Sequence, residues 1–230
     1  MMNITADSVL QAHGVFGKLS PHTTKTLAAR ATYENYARGE TLFKPSDPWP
    51  GVIVVLSGII KSSKTNASGK EQVFSVYEAG SMLGLRGLIG RTTALTKFTA
   101  LQSGEYLVYP YKDMREAIAR DGDFALAILG KIIDLTEAMR ERIESLSLKD
   151  AHTRLCVWLN TWLEKHYHNK QEAFQAVLPY TQSEIAAQVG TVREVISRSF
   201  ARLEKDGVLV VSGKRVSVLS RSRLKEAAKA

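Results

Sequence analysis

The chain has 230 residues, 44% of them hydrophobic, one cysteine and a formal net charge of +8. That length can bury one large core or two ordinary ones. The lone Cys156 excludes an internal disulfide framework, so a reducing cytoplasm is the expected compartment. The opening "MMNITADSVLQAHGVFGKLS" lacks a basic segment leading into an apolar run and does not read as a signal peptide. The longest apolar run, "GVIVVLSGII", is too short to span a bilayer, and no membrane partner is expected. Charge is uneven: Ala151 to Ala230 carries 13 Lys/Arg against 7 Asp/Glu, most of the excess. A compact basic segment points to a polyanion, usually nucleic acid.

Residues 31 to 110 read as short strands. "GETLF", "GVIVVLSGIIKSS", "EQVFSVYEAG" and "KFTALQSGEYLVYPY" are rich in β-branched and aromatic residues. Glycines at 39, 58, 69, 80 and 104 punctuate them, a spacing that predicts a sandwich or jelly roll. Near Asp121 the pattern becomes helical. Ile128, Ile132, Leu135, Met139 and Leu146 step by four and three, with Arg142 filling one slot. Leu129, Ile133 and Ile143 form a second stripe beside them. A helix over Asp123–Leu148 follows, ~39 Å long. Two stripes imply two partners, the chain's own barrel and a second copy of the helix in a coiled coil. Ile128, Ile132, Leu135, Met139 and Leu146 are the candidate dimer seam.

After Asp150, "AHTRLCVWLNTWLEKHYHNKQEAF" predicts a helix with Leu155, Trp158, Leu159 and Trp162 on one side, then a polar connector. In "TQSEIAAQVGTVREVISRSFARLEKDG", Thr181 and Glu184 have capping-box spacing, Gly190 ends that helix, and Thr191 and Glu194 repeat the box at once. Two helices joined by a tight glycine turn predict a helix-turn-helix. Ile185, Ala186, Val189, Ile196, Phe200 and Leu203 can close its core. The opposite face of the second helix offers Arg193, Glu194, Ser197 and Arg198 near its N-terminal end, which in a recognition helix meets base edges. Arginine can pair bidentately with guanine, and glutamate can accept from cytosine. Beyond Gly207, "VLVVSGKRVSVL" predicts a hairpin turning at Ser212-Gly213 with Lys214 and Arg215 at its tip, a wing able to touch phosphate. Thr181, Gln182, Thr191 and Arg202 complete the candidate DNA-contact set. The architecture is therefore α+β: a sandwich or jelly roll over 1–122, a long dimerisation helix over 123–149 and a winged helix-turn-helix over 150–230. No P-loop, G-x-S-x-G, metal-spaced His/Cys cluster or dinucleotide fingerprint is present, so an enzyme is not expected.

The order of these parts resembles the Crp/Fnr family of bacterial transcription regulators over about residues 15 to 225. "RGETLF", "VVLSGIIK", "GKEQVF", "AGSMLGL" and "REVISRSFARLEKDGVL" stand where that family carries similar segments. The last fits both the R-E-x-x-x-R pattern of cyclic-AMP receptors and the E-x-x-S-R pattern of the Fnr branch. The resemblance implies that residues 1–122 form a jelly-roll sensor domain, a cyclic-nucleotide-binding-like barrel. It implies a homodimer on palindromic double-stranded DNA with a TGA-like half-site core. It also implies RNA polymerase as a further partner, as for an activator. It places an effector pocket at Leu83, Gly84, Leu85, Arg86, Arg91, Leu95, Met139 and Arg140. There the chain departs from the cyclic-AMP pattern. Leu85 stands where the receptors have a ribose-binding glutamate, and Ala94 to Thr96 align with their Arg-Ser phosphate pair. Each lost partner forfeits roughly 1.5–3 kcal/mol, so cyclic AMP is not the expected effector. One cysteine cannot hold the Fnr branch's iron–sulfur cluster, which takes four. His13, His22, His152, His166 and His168 all lie outside the barrel segment, so none is expected to ligate haem. Cys156 reads as apolar packing. Control by another effector is the main expectation, with a ligand-independent or haem-based gas-sensing regulator as the alternatives.

Overall fold

The computed structural model describes residues 14–170 and 172–229. The stretch read for a signal peptide therefore lies mostly outside the described residues, as does His13. The chain divides into two compact units, Met1–Lys64 with Phe74–Ala138, and Thr65–Val73 with Met139–Ala230.

The first unit is built on strands β1 (Thr32–Tyr36), β2 (Thr41–Phe43), β3 (Val52–Thr65), β4 (Glu71–Tyr77), β5 (Met82–Leu83) and β6 (Lys97–Tyr109), except that Thr65 of β3 and residues 71–73 of β4 belong to the second unit. They form one sheet in the order β1-β6-β3-β4, with β2 beside β6 and β5 beside β3. The long antiparallel pair runs in register from Val52↔Tyr109 to Ser63↔Lys97 and shifts at three places between Val55 and Ile60. Such bulges bend a sheet and let it curl. Glycine is required at the crossing. A Cβ on Gly104 would lie 2.1 Å from the Ser57 carbonyl oxygen.

Alternation along β3 sorts side chains between two cores. Val52 and Val54 join Phe16, Leu27, Tyr109, Met114 and Phe124 on one side. Ile53, Val55 and Ile60 join Trp49, Leu83, Ala94 and Phe98 on the other. Two short helices close the first core, α1 (Pro21–Arg30) and α2 (Tyr111–Arg120). In α1, Ser20 caps the start by accepting from the Thr23 amide, and proline takes the first position.

The long helix α3 spans Gly122–Leu148, about 40 Å. It begins one residue before the predicted start. Its first two turns bury Phe124 and Ile128 in the first core. Ile128 is 5% exposed and belongs to its own chain's packing, which corrects its assignment to the dimer seam. Ile132, Leu135, Met139 and Leu146 remain exposed, as do Leu129, Ile133 and Ile143.

In the second unit, α4 (Ala151–Tyr167) buries Leu155, Cys156, Leu159, Trp162 and Leu163, with Trp158 half-buried. Asp150 caps it by accepting from the Thr153 amide at 2.7 Å. The predicted polar connector instead contains a strand, β7 (Phe174–Val177). The remaining elements are α5 (Gln182–Val189), α6 (Arg193–Lys205), β8 (Leu209–Ser212), β9 (Arg215–Val218) and α7 (Arg221–Ala227). Strands β7, β9 and β8 form a second antiparallel sheet in that order. Arg221 and Glu172 tie α7 down. Arg221 pairs with Glu164 at 2.8 Å and donates to the Tyr167 and Lys170 carbonyls. Glu172 accepts from the Ser222 amide at 2.9 Å and the Ser220 hydroxyl at 2.8 Å. Among the described residues, no helix is long and apolar enough to cross a membrane, and no three His, Cys, Asp or Glu residues could hold a metal ion.

Candidate nucleic-acid interface

Helix α5 starts and stops as its sequence predicts. The Thr181 hydroxyl accepts from the Glu184 amide at 3.2 Å, and the Glu184 carboxylate accepts from the Thr181 amide at 2.6 Å. Both halves of the capping box are present. Gly190 sits in the left-handed region at φ +81°, and the amides of Gly190 and Thr191 both donate to the Ala186 carbonyl at 2.9 Å. This closes the helix C-terminus and reverses the chain.

The second predicted box does not form. Helix α6 begins at Arg193, after Val192, with no side-chain cap. The backbone of Thr191 is spent on closing α5, which moves the new helix start one residue along. Glu194 is therefore not held in a cap and stands exposed in the first turn.

The two helices share one apolar seam. Ile185, Ala186 and Val189 of α5, and Ile196, Phe200 and Leu203 of α6, are all buried. Arg193, Glu194, Ser197, Arg198 and Arg202 are exposed. Their spacing puts Ser197, Glu194 and Arg198 across the outer face of α6, with Arg193 and Arg202 at its two edges. Arg202 also approaches Asp206 at 3.8 Å, an exposed pair of little energetic weight. Thr181 is exposed at the start of α5, Gln182 is half-buried, and Thr191 is half-buried at the turn.

The wing is present. Ser212 pairs with Arg215, so Gly213 and Lys214 form the two-residue loop, one position beyond the predicted turn. Gly213 has φ +62°, as the first position of such a loop allows. Lys214 and Arg215 are exposed, and the Lys214 amine donates to the Pro179 carbonyl at 3.4 Å. Strand β7 pairs Val177 with Arg215 and steadies the wing from its other side. Sequence reasoning missed β7 because four residues with only Ala176 buried show no visible alternation.

A cleft of about 330 Å³ lies beside α6, lined by Asp150, His152, Thr153, Arg202, Leu203 and Asp206 among others. Burial, with repulsion from Arg202, pulls the His152 imidazole below its ordinary value. Cys156 is buried on α4, as its apolar setting predicts, and burial pushes its thiol up to about 11.

The candidate effector residues do not form one cluster within one unit. Met139 and Arg140 are exposed in the second unit, and the other six lie in the first. Leu83 is buried, and Gly84, at φ +77°, accepts from the Tyr111 hydroxyl at 2.8 Å. Leu85 packs against the first core, whereas Arg86, Arg91 and Leu95 are exposed. Ala94 is buried, and its amide donates to the Asp47 carbonyl. The core beside it is filled by aromatic rings: Trp49 stands 4.4 Å from Phe43 and 4.9 Å from Phe98, centroid to centroid. Sequence reasoning did not single out Trp49.

A recognition-type helix with a polar outer face, a capped helix behind it and a basic wing define a DNA-binding regulator of the winged helix-turn-helix class. Residues 33–121 match the cyclic nucleotide-binding domain family, and residues 153–227 match the Crp-like helix-turn-helix domain family. Electron transport regulator A of Shewanella oneidensis is 25% identical over 187 residues, 81% of this chain and 74% of that protein. The fumarate and nitrate reduction regulatory protein of Vibrio cholerae is 26% identical over 191 residues, 83% of this chain and 76% of that protein. The solved structure of FixK2 from Bradyrhizobium japonicum shares the fold, with a TM-score of 0.73, 21% identity and coverage of 87% and 98% of the two chains. The chain belongs to the Crp/Fnr family of transcription regulators. It is a DNA-binding transcription regulator, and its family is not one of enzymes.

Proposed function

We propose that the protein regulates transcription as a homodimer on a palindromic operator whose half-sites lie about one helical turn, ~34 Å, apart. The observation that carries this reading is the outer face of α6, where Arg193, Glu194, Ser197 and Arg198 stand exposed together. Arg198 and Arg193 supply forks for guanine, Glu194 an acceptor for cytosine, and Lys214 and Arg215 cations for phosphate. The TGA-like core and RNA polymerase as a partner rest on the family. Exposed Ile132, Leu135, Met139 and Leu146 on the long helix support the second copy of the chain, because a water-facing apolar stripe of that length is costly unless covered.

The effector in this reading is not cyclic AMP. Leu85 packs on an apolar core where a ribose hydroxyl needs a carboxylate, and buried Ala94 offers no cation to a phosphate. The ring cluster of Trp49, Phe43 and Phe98 favours a second reading, a regulator that needs no small-molecule effector. No iron–sulfur cluster belongs to this reading, since these 230 residues hold one cysteine and it is buried. Haem is likewise left out. His22, His166 and His168 are exposed, and His152 is half-buried on α4.

Selection from random duplexes with the purified protein tests the proposal. A recovered palindrome, bound by two chains and unaffected by millimolar cyclic AMP, is the expected result. Recovery of unrelated sequences would overturn it.

A further inference from the structure

The C-terminus of an α-helix leaves its last four carbonyls without intrahelical partners. In α5 the terminal carbonyls are taken by side chains from three separate segments. Gln72, in strand β4, donates to the Ala187 carbonyl at 3.3 Å. Arg142, on the long helix, donates to the Gln188 carbonyl and, at 2.7 Å, to the Val73 carbonyl. Arg154, on α4, donates to the Val189 carbonyl at 2.9 Å, the Gly190 carbonyl at 3.3 Å and the Lys149 carbonyl at 2.7 Å. Two guanidinium cations thus face the negative end of this helix dipole. All of these residues lie in the second unit, which takes in residues 65–73 and the last turns of the long helix.

Arg142 differs from Arg154 in its cost and its place. It occupies a slot in an otherwise apolar stripe, where a leucine would serve packing alone. Arg142 is half-buried, which lowers its pKa, and among the described residues its hydrogen-bond partners are carbonyls, with no carboxylate to offset the partly desolvated charge. A planar fork is the side chain that can bridge two carbonyls on different segments. One of those carbonyls is on β4. The other is two residues before Gly190, the pivot into α6.

We propose that Arg142 is a positioning residue for operator recognition: by bridging the Val73 and Gln188 carbonyls it sets the direction of α5, and through the Gly190 turn that of the base-reading helix. The proposal rests on the DNA-reading function assigned to α6. It gives the guanidinium no contact with DNA. Its loss therefore acts on the match between α6 and base edges, which only the specific complex uses. Phosphate contacts, which dominate binding to random sequence, depend less on that angle.

The test uses the full-length protein and the operator recovered by selection. Parent, Arg142→Met and Arg142→Lys are titrated against operator and random duplex at several salt concentrations, below the thermal midpoint of each. Arg142→Met should lose about tenfold in operator affinity, the scale of one charge-assisted hydrogen bond, with random-duplex affinity and salt slope unchanged. Arg142→Lys keeps the charge and one donor direction and should recover part of the operator-to-random ratio. It also serves if the methionine variant fails to fold. A direct phosphate contact would instead lower the salt slope by about one and weaken both duplexes alike, and that result overturns the proposal. So does an unchanged ratio in a folded variant. Failure of the parent to prefer the operator would refute the DNA-reading function itself, a result distinct from either.

Discussion

Gly190→Ala puts the turn between the two DNA-binding helices under a measurable load. Gly190 has φ +81° and ψ 38°, and a left-handed residue bearing a Cβ costs roughly 1–2 kcal/mol. The added Cβ would also lie 2.6 Å from Leu146 Cδ2 and 3.1 Å from Gln72 Oε1. Both are ends of flexible side chains that can turn aside, so the backbone accounts for most of the cost. Alanine also narrows the unfolded ensemble, which returns about 0.4–1 kcal/mol. The net loss should be about 1 kcal/mol, or ~2–4 °C in the thermal midpoint of a chain this long. Urea unfolding followed by helix signal measures it. In a Leu146→Ala background, which opens the space, most of the loss should persist. A loss that vanishes in that background would show that crowding, not the left-handed backbone, is why glycine stands there. A Gly190→Ala protein as stable as the parent would refute both explanations.

Three further outcomes follow from particular contacts. Hydrogen bonds from Ser222 and Ser220 hold the Glu172 carboxyl near about 2, below its ordinary 4.5. Their stabilisation is present above the unfolded value and is lost as pH falls toward the folded one. Glu172→Gln should therefore melt below the parent at pH 6, with the gap closing between pH 4.5 and about 2; a gap constant in pH would contradict this. The thiol of Cys156, raised to about 11, should resist iodoacetamide at pH 8 in the folded protein and react once urea unfolds it. Glutamates at both Ile132 and Leu135 should give monomers by light scattering, since unpaired charge would be buried in the seam. A dimer of unchanged mass would reject that seam.

The sequence was most legible where local chemistry is self-sufficient. Thr181, Glu184 and Gly190 define a helix by its ends alone, and the structure forms those ends as spaced. The long helix and the wing were readable for the same reason, a sustained period in one and a glycine-centred loop in the other. What failed depended on neighbours. The Thr191–Glu194 spacing fits a capping box, but the Thr191 amide closes the preceding helix, and nothing in the local pattern says which use prevails. Ile128 fits the exposed stripe by spacing, yet it is covered by a core that includes Phe16 and Tyr109, distant in sequence. Arg142 looked like an interruption of the stripe, and its partners, at Val73 and Gln188, lie 69 and 46 residues away. The short α1 and β7 each bury too few side chains to leave a period.

The central claim is that the outer face of α6 reads bases, and paired titrations of operator, single-base operator variants and random duplex test it most directly. The parent should discriminate among them. Arg198→Ala should lose ~1–3 kcal/mol on the operator and become indifferent at one guanine. Lys214→Ala should weaken all duplexes alike and flatten the salt dependence. If Arg198→Ala lost the same affinity on operator and random DNA, Arg198 would be a phosphate contact and the assignment of α6 as the reading helix would be contradicted.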